Sequence, residues 1–139
     1  MTSTAGAMEE LSTPRCWDLL DSCEVGRLAV CTGGYPDIFP INYLVDERSI
    51  VFRSAEGTKL AAAVLGRAVA FEVDEYDPDH GVAWSVVAKG PAIELGPVVD
   101  LFAAADLPRF PWHASSRPRY VRIRPNEVTG RRFEVSASR

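Results

Sequence analysis

Cysteine and histidine are scarce in this chain, with 3 Cys and 2 His among 139 residues. Cys16, Cys23 and Cys31 are too few and too odd in number for a disulfide framework, and no C-x-x-C pair occurs. His80 and His113 lie far apart in sequence, so a Cys/His zinc centre is not expected. Long apolar runs are missing too: none approaches the roughly 18 residues of a membrane-spanning helix. The first dozen residues hold no basic segment followed by an apolar stretch, so no secretory leader is expected. Positive charge is not in excess: 15 Lys and Arg stand against 19 Asp and Glu, for a net charge of −4. Phosphate neutralisation dominates nucleic-acid affinity, so this balance disfavours a nucleic-acid binder while allowing a local basic site. No Ser-His-Asp set, paired catalytic carboxylates or metal cluster emerges. The expectation is a reduced, cytoplasmic domain with neither membrane nor nucleic acid as partner.

What the chain does have is an ordinary globular composition, 47% hydrophobic and 24% charged. Its length suits one domain. Residues 1–11 are small and polar and read as a flexible N-terminus, leaving 12–139 as a single domain. Ser12-Thr13-Pro14 signals a helix start, with Thr13 as N-cap and Pro14 at the first helical position. Cys16, Trp17, Leu19, Leu20 and Cys23 then fall near helical spacing. From Val25 onward the pattern turns to short strands: 26–31, 38–45 and 50–53, joined by the Gly33-Gly34-Tyr35-Pro36 turn and the polar turn 46–49. These three read as an antiparallel meander. Pro40 marks an edge or a bulge. Residues 58–65 are alanine-rich and favour a short helix. Residues 67–76 alternate, with Val69, Phe71 and Val73 on one face. A long strand over 82–95 is bent or broken at Gly90-Pro91. A third short helix follows from Gly96-Pro97 through Ala105, then an irregular proline-rich loop over 106–118. Strands over 119–124 and 128–135 close the chain. The expected class is mainly β with short helices: six or seven antiparallel strands forming a barrel or a sandwich.

Chemistry concentrates in Arg53-Ser54-Ala55-Glu56-Gly57-Thr58-Lys59-Leu60, which joins a strand to a helix through a glycine-containing loop. A guanidinium, two hydroxyls, an ammonium and the free N–H groups of a helix start suit a phosphate. The spacing is not that of a Walker A loop. The competing reading is a solvated cap: Thr58 satisfies backbone amides, while Arg53 and Lys59 pair with Glu56 or Glu72.

Four segments, VGRLAV (25–30), PINYLVD (40–46), FRSAEGTKL (52–60) and FEVDEYD…GVAWSVVAKGPA (71–92), together with a closing TGRRF (129–133), resemble the pyridoxamine 5′-phosphate oxidase-like superfamily. These are the flavin-binding split β-barrels, and the resemblance runs from about Leu11 to Val135. It implies a split β-barrel and a homodimer with two cofactors at the subunit interface. By the same resemblance Arg53, Ser54, Thr58 and Lys59 hold the flavin phosphate. The strand at Pro40, Ile41, Asn42 and Tyr43 lines the isoalloxazine ring with backbone groups. Trp84 lies on a strand that faces the cofactor or the partner subunit. Arg131 and Arg132 fall on opposite faces of one strand, so at most one reaches a given phosphate; Arg132 is the candidate.

The implied activity is an FMN-dependent oxidoreductase acting on a small organic substrate, with hydride transfer carried by the cofactor. The deazaflavin coenzyme F-420 on the same barrel is an alternative, as is a non-catalytic flavin or haem binder. The chain lacks the C-terminal arginine–histidine signature of true pyridoxamine phosphate oxidases, so vitamin B6 synthesis is not expected. It carries Arg53 where the nitroimidazole-resistance proteins place a histidine, which weakens that reductase reading. No catalytic acid or base is named.

Overall fold

The protein is described by a computed structural model over residues 8–55, 64, 67–95 and 118–135. Eight strands and one helix make up these residues. In chain order they are β1 (Met8–Glu10), α1 (Thr13–Asp21), β2 (Val25–Thr32), β3 (Tyr35–Val45), β4 (Ile50–Ala55), β5 (Ala68–Asp77), β6 (Val82–Glu94), β7 (Pro118–Ile123) and β8 (Glu127–Glu134). The sheet order is β1-β8-β6-β5-β2-β3-β4-β7, and β7 pairs back onto β6. Six strands therefore close an antiparallel barrel, with β8 and β1 appended beside β6. The meander β2-β3-β4 and the bent β6 stand as the sequence leads one to expect.

Two strands turn corners, and this splits the barrel. β3 pairs with β2 from Tyr35 to Asn42 and with β4 from Tyr43 to Val45. β6 pairs with β5 from Val82 to Pro91 and with β7 from Ala92 to Glu94. The second corner coincides with Gly90-Pro91. A Cβ on Gly90 would lie 2.5 Å from the Arg124 carbonyl oxygen and 2.8 Å from Pro125 Cα, so only glycine allows this close backbone approach. The freed backbone groups are recaptured: Ala92 N–H donates to Arg67 O at 2.9 Å, and Asn126 N–H to Lys89 O at 2.9 Å.

Alternation fills the interior. Leu28, Ile41, Tyr43, Ile50, Phe52, Phe71, Val86, Val121 and Ile123 are all essentially inaccessible. Tyr43 and Phe71 meet edge to face with ring centroids 4.7 Å apart. Gly26 makes room for them, since a Cβ there would overlap the Phe71 ring. Helix α1 contributes Cys16, Trp17, Leu19 and Leu20 to the same core. The Tyr43 hydroxyl donates to the Leu20 carbonyl, tying helix to barrel.

Two hairpin turns solve the same problem differently. Gly33 and Gly34 take φ of 58° and 83° between paired Thr32 and Tyr35, the left-handed pair of a two-residue turn. Glu47 and Arg48 adopt φ of 49° and 56° without being glycine. Arg122 holds that turn from β7: it bonds the Ser49 hydroxyl and pairs with Asp46 Oδ2 at 3.1 Å.

Some expectations are corrected. Ser12, not Thr13, caps α1, its hydroxyl accepting from Arg15 N at 3.3 Å. With Pro14 at the second helical position the missing N–H still costs nothing. The segment expected to be flexible ends in a strand: Met8–Glu10 pairs with Arg131–Phe133. Its backbone completes an edge that the sequence pattern does not reveal. The helices expected over 58–65 and 97–105 lie outside the described residues, apart from Val64, which is helical and buried. Most of the 106–118 loop lies outside them as well. Among the described residues no helix is long and apolar enough to cross a membrane.

Candidate functional site

The β3 corner gathers most of the expected site residues that are described. Ile41 and Tyr43 point inward, so Pro40, Asn42 and Leu44 face outward. On β4, Ile50 and Phe52 point inward, and by the same alternation Ser54 lies on the inner face and Arg53 on the outer. The last β3–β4 pair is Tyr43 with Phe52. Alternation from that pair puts Asn42 and Arg53 both on the outer face, each next to the end of the β3–β4 ladder, where β3 changes partner. Arg53 is half-buried and opposes Tyr120 of β7.

This corner carries a polar deficit. Asn42 is 6% exposed and Ser54 is 5% exposed. The Asn42 amide donates to the Glu24 carbonyl at 3.4 Å, and Tyr43 N–H reaches the same oxygen at 3.1 Å. Asn42 Oδ1 and Ser54 Oγ have no hydrogen-bond partner among the described residues. A buried polar atom left alone costs about 1–3 kcal/mol, so two near one corner call for a reason. A bound flavin nucleotide fits the chemistry of Asn42 Oδ1. Its ring N3–H and ribityl hydroxyls are donors for Oδ1. Arg53 adds positive charge on the same outer face. Asn42 and Arg53 are the described side chains that would hold such a group, and Pro40 and Ile41 present backbone beside them, whereas Ser54 Oγ is turned to the inner face of the sheet. Thr58 and Lys59, the remaining phosphate candidates, lie outside the described residues.

The other two candidates stand elsewhere. Trp84 on β6 opposes Arg132 on β8, and Glu75 on β5 opposes Trp84 from the other side. Three strand steps separate Trp84 from β3, about 14 Å along the sheet. Within one chain, Trp84 and Arg132 therefore do not join Asn42 and Arg53. They line an open groove of about 820 Å³ at the end of the β5–β6 hairpin.

The cap pairings considered for Glu72 take another form. Glu72 and Asp74 sit on one face of β5 and share Arg27 of β2, whose Nη1 lies 3.0 Å and 2.9 Å from their carboxylates. Burial pushes the Glu72 carboxyl up to about 7; Asp74 adds to the rise and Arg27 opposes it. The only sequence signal for this trio is alternation, and its partners are set by register. His80 is solvent-facing and paired with Asp77 at 2.6 Å, and this bond holds the Asp77 carboxyl below its usual range. Among the described residues no group of three or more His, Cys, Asp or Glu is placed to hold a metal ion.

Comparison with known proteins bears on the whole barrel. The family model described as pyridoxamine 5′-phosphate oxidase matches residues 12–132. The uncharacterised protein Rv0080 of Mycobacterium tuberculosis is 33% identical over 137 residues, covering 94% of this chain and 88% of that protein. The structure of an FAD-binding protein from Mycobacterium smegmatis superposes with a TM-score of 0.78 at 39% identity, covering 92% of this chain and all of that one. An FAD-binding protein from Mesorhizobium loti shares the fold at a TM-score of 0.73 and 24% identity, covering 91% of this chain and 98% of that one.

Proposed function

The chain belongs to the pyridoxamine 5′-phosphate oxidase family, and on that footing we propose that it binds a flavin nucleotide at the β3 corner and serves as a flavin-dependent oxidoreductase. The observation that carries this reading is the buried, unpartnered Asn42 Oδ1, on the same outer face as Arg53. The M. smegmatis relative described as FAD-binding supports a flavin. When bound, the flavin supplies hydride or electron transfer to a small organic substrate. The protein's own share is to orient the ring with Asn42 and the β3 backbone and to anchor the phosphate with Arg53, Thr58 and Lys59. Donors fixed in this way stabilise charge without reorganising. Trp84 and Arg132 have no part in this site within one chain.

FMN is the reading the phosphate segment suggests. FAD is the second reading, favoured by the M. smegmatis relative; it contains the same ring and a phosphate at the same position. Coenzyme F-420 is the third ligand to be tried. We place the protein as a homodimer, because the outward face of β2 and β3 exposes Val25 and Ile38. Arg27, opposite Pro40 on the same face, is already neutralised by Glu72 and Asp74, so a twin would cover a mixed face of apolar side chains around a satisfied ion pair.

The test is a parallel fluorescence titration with FMN, FAD and coenzyme F-420, repeated on Asn42→Leu and Arg53→Ala. Saturable binding of one flavin, weakened about 10-fold or more by either substitution, supports the reading. Binding of F-420 in place of both flavins moves the reaction to the deazaflavin class. Absence of all three, with both variants folded, overturns the proposed site.

A further inference from the structure

The groove at the end of the β5–β6 hairpin is a second concave site, built differently from the β3 corner. Register lays out its floor in two rows. Glu75, Trp84 and Arg132 form one row across β5, β6 and β8, and Glu9 of β1 extends it. Asp77, Val82 and Glu134 form the next row. Trp84 lies at the centre, on the same strand face as buried Val86, and packs on the core while remaining partly accessible. A carboxylate thus stands opposite the indole on β5, and two more stand diagonally on β5 and β8.

The charge balance decides what such a floor accepts. Asp77 is taken up by its own turn, accepting from Asp79 N–H and His80 N–H and pairing with the His80 ring at 2.6 Å. Glu75 and Glu134 then face one guanidinium, and Arg132 already lies 3.8 Å from Glu9. An anion would meet net repulsion here. A cation would gain the indole face together with uncancelled carboxylate charge. The volume, about 820 Å³, is in the range of small-molecule sites.

We propose that this groove binds an organic cation with a flat apolar body, seated on Trp84 and countered by Glu75 and Glu134. The site is distinct from the β3 corner and does not rest on the flavin reading. It takes the opposite sign of charge, so Arg132 serves as a wall of a cation site and not as a phosphate anchor.

Benzyltrimethylammonium is a suitable probe, with benzyl alcohol as the neutral control and benzoate as the anionic one. Calorimetric titration of the full chain is expected to show saturable binding of the cation and weaker or no binding of the two controls. Glu75→Gln and Glu134→Gln should each weaken the cation about 5–10-fold, and Trp84→Phe should weaken it less, because a smaller aromatic face remains. Arg53→Ala should leave it unchanged, which separates this site from the flavin site. Circular dichroism confirms that each variant is folded. The proposal is overturned if benzoate or benzyl alcohol binds as tightly as the cation. It is equally overturned if no cation binding saturates below about 10 mM, or if the two carboxamide variants bind like the parent.

Discussion

The barrel turns two corners, and they are closed in opposite ways. At the β6 corner, Gly90 lets the chain press against the Arg124 carbonyl, and neighbouring backbone groups close on one another through Ala92–Arg67 and Asn126–Lys89 bonds. Polar backbone freed by the bend is paired within the protein. At the β3 corner, Asn42 and Tyr43 both lean on the Glu24 carbonyl, yet Asn42 Oδ1 is left over, as is Ser54 Oγ on β4. Equivalent geometry therefore carries different energetics. A corner that only shapes the barrel is saturated with internal hydrogen bonds. On the proposed reading, the β3 corner holds a polar atom in reserve for a ligand and gives up stability to do so.

The largest expected effect comes from breaking the saturated corner. Gly90→Val forces a side chain into backbone that is already in contact and should cost about 3 kcal/mol or more, read from urea denaturation. Next is the tie between helix and barrel. Tyr43→Phe removes the hydroxyl that donates to the Leu20 carbonyl and leaves that oxygen only the long Cys23 N–H contact at 3.5 Å, a loss of about 1 kcal/mol by the same measurement. The reserved corner should respond in the opposite sense. Ser54→Ala removes an unpartnered atom, so stability should hold or rise by up to about 1 kcal/mol, while Asn42→Leu is the variant that lowers flavin affinity. A Ser54→Ala variant that lost stability would show the hydroxyl to be structural and dissolve the contrast between the corners.

The smallest effect is a pH slope from Glu72, which lies between the corners. Its folded pKa, about 7, is above the ordinary carboxylate value. The folded state therefore holds the proton more tightly. Stability from this group is full below the unfolded pKa, declines as pH rises towards about 7, and is flat above. Glu72→Gln should flatten that part of the stability–pH curve. Ile38→Asp, placed on the exposed outer face of β3, should leave both corners intact and shift the protein from dimer to monomer in sedimentation.

Much of this architecture is legible in the amino-acid pattern. Val69, Phe71 and Val73 alternate visibly, and they are the residues that fill the barrel beside Tyr43. Gly90-Pro91 marks a bend, and the bend is where β6 changes partner. Pro40 hints at an irregular β3, though the change of partner falls two residues later, at Asn42. Strand β1 is not legible, because Met8-Glu9-Glu10 carries no apolar alternation and is held by backbone bonds to β8. Seven of the proposed cofactor residues come from one continuous stretch of chemistry or from the strand before it. The described ones among them, Pro40, Ile41, Asn42, Arg53 and Ser54, lie near one another. Trp84 and Arg132 lie three and four strands away from β3 within one chain, a separation that only register reveals.

Strands, hairpin turns, helix and family follow from the order of residues alone, because alternation, glycine at left-handed turns and capping are local properties. Folding in three dimensions was needed to leave Asn42 and Ser54 with unpartnered atoms near one corner while Trp84 gathers carboxylates in a separate groove. Those outcomes depend on pairing between residues distant in the chain, where a one-residue slip would turn every side chain to the opposite face.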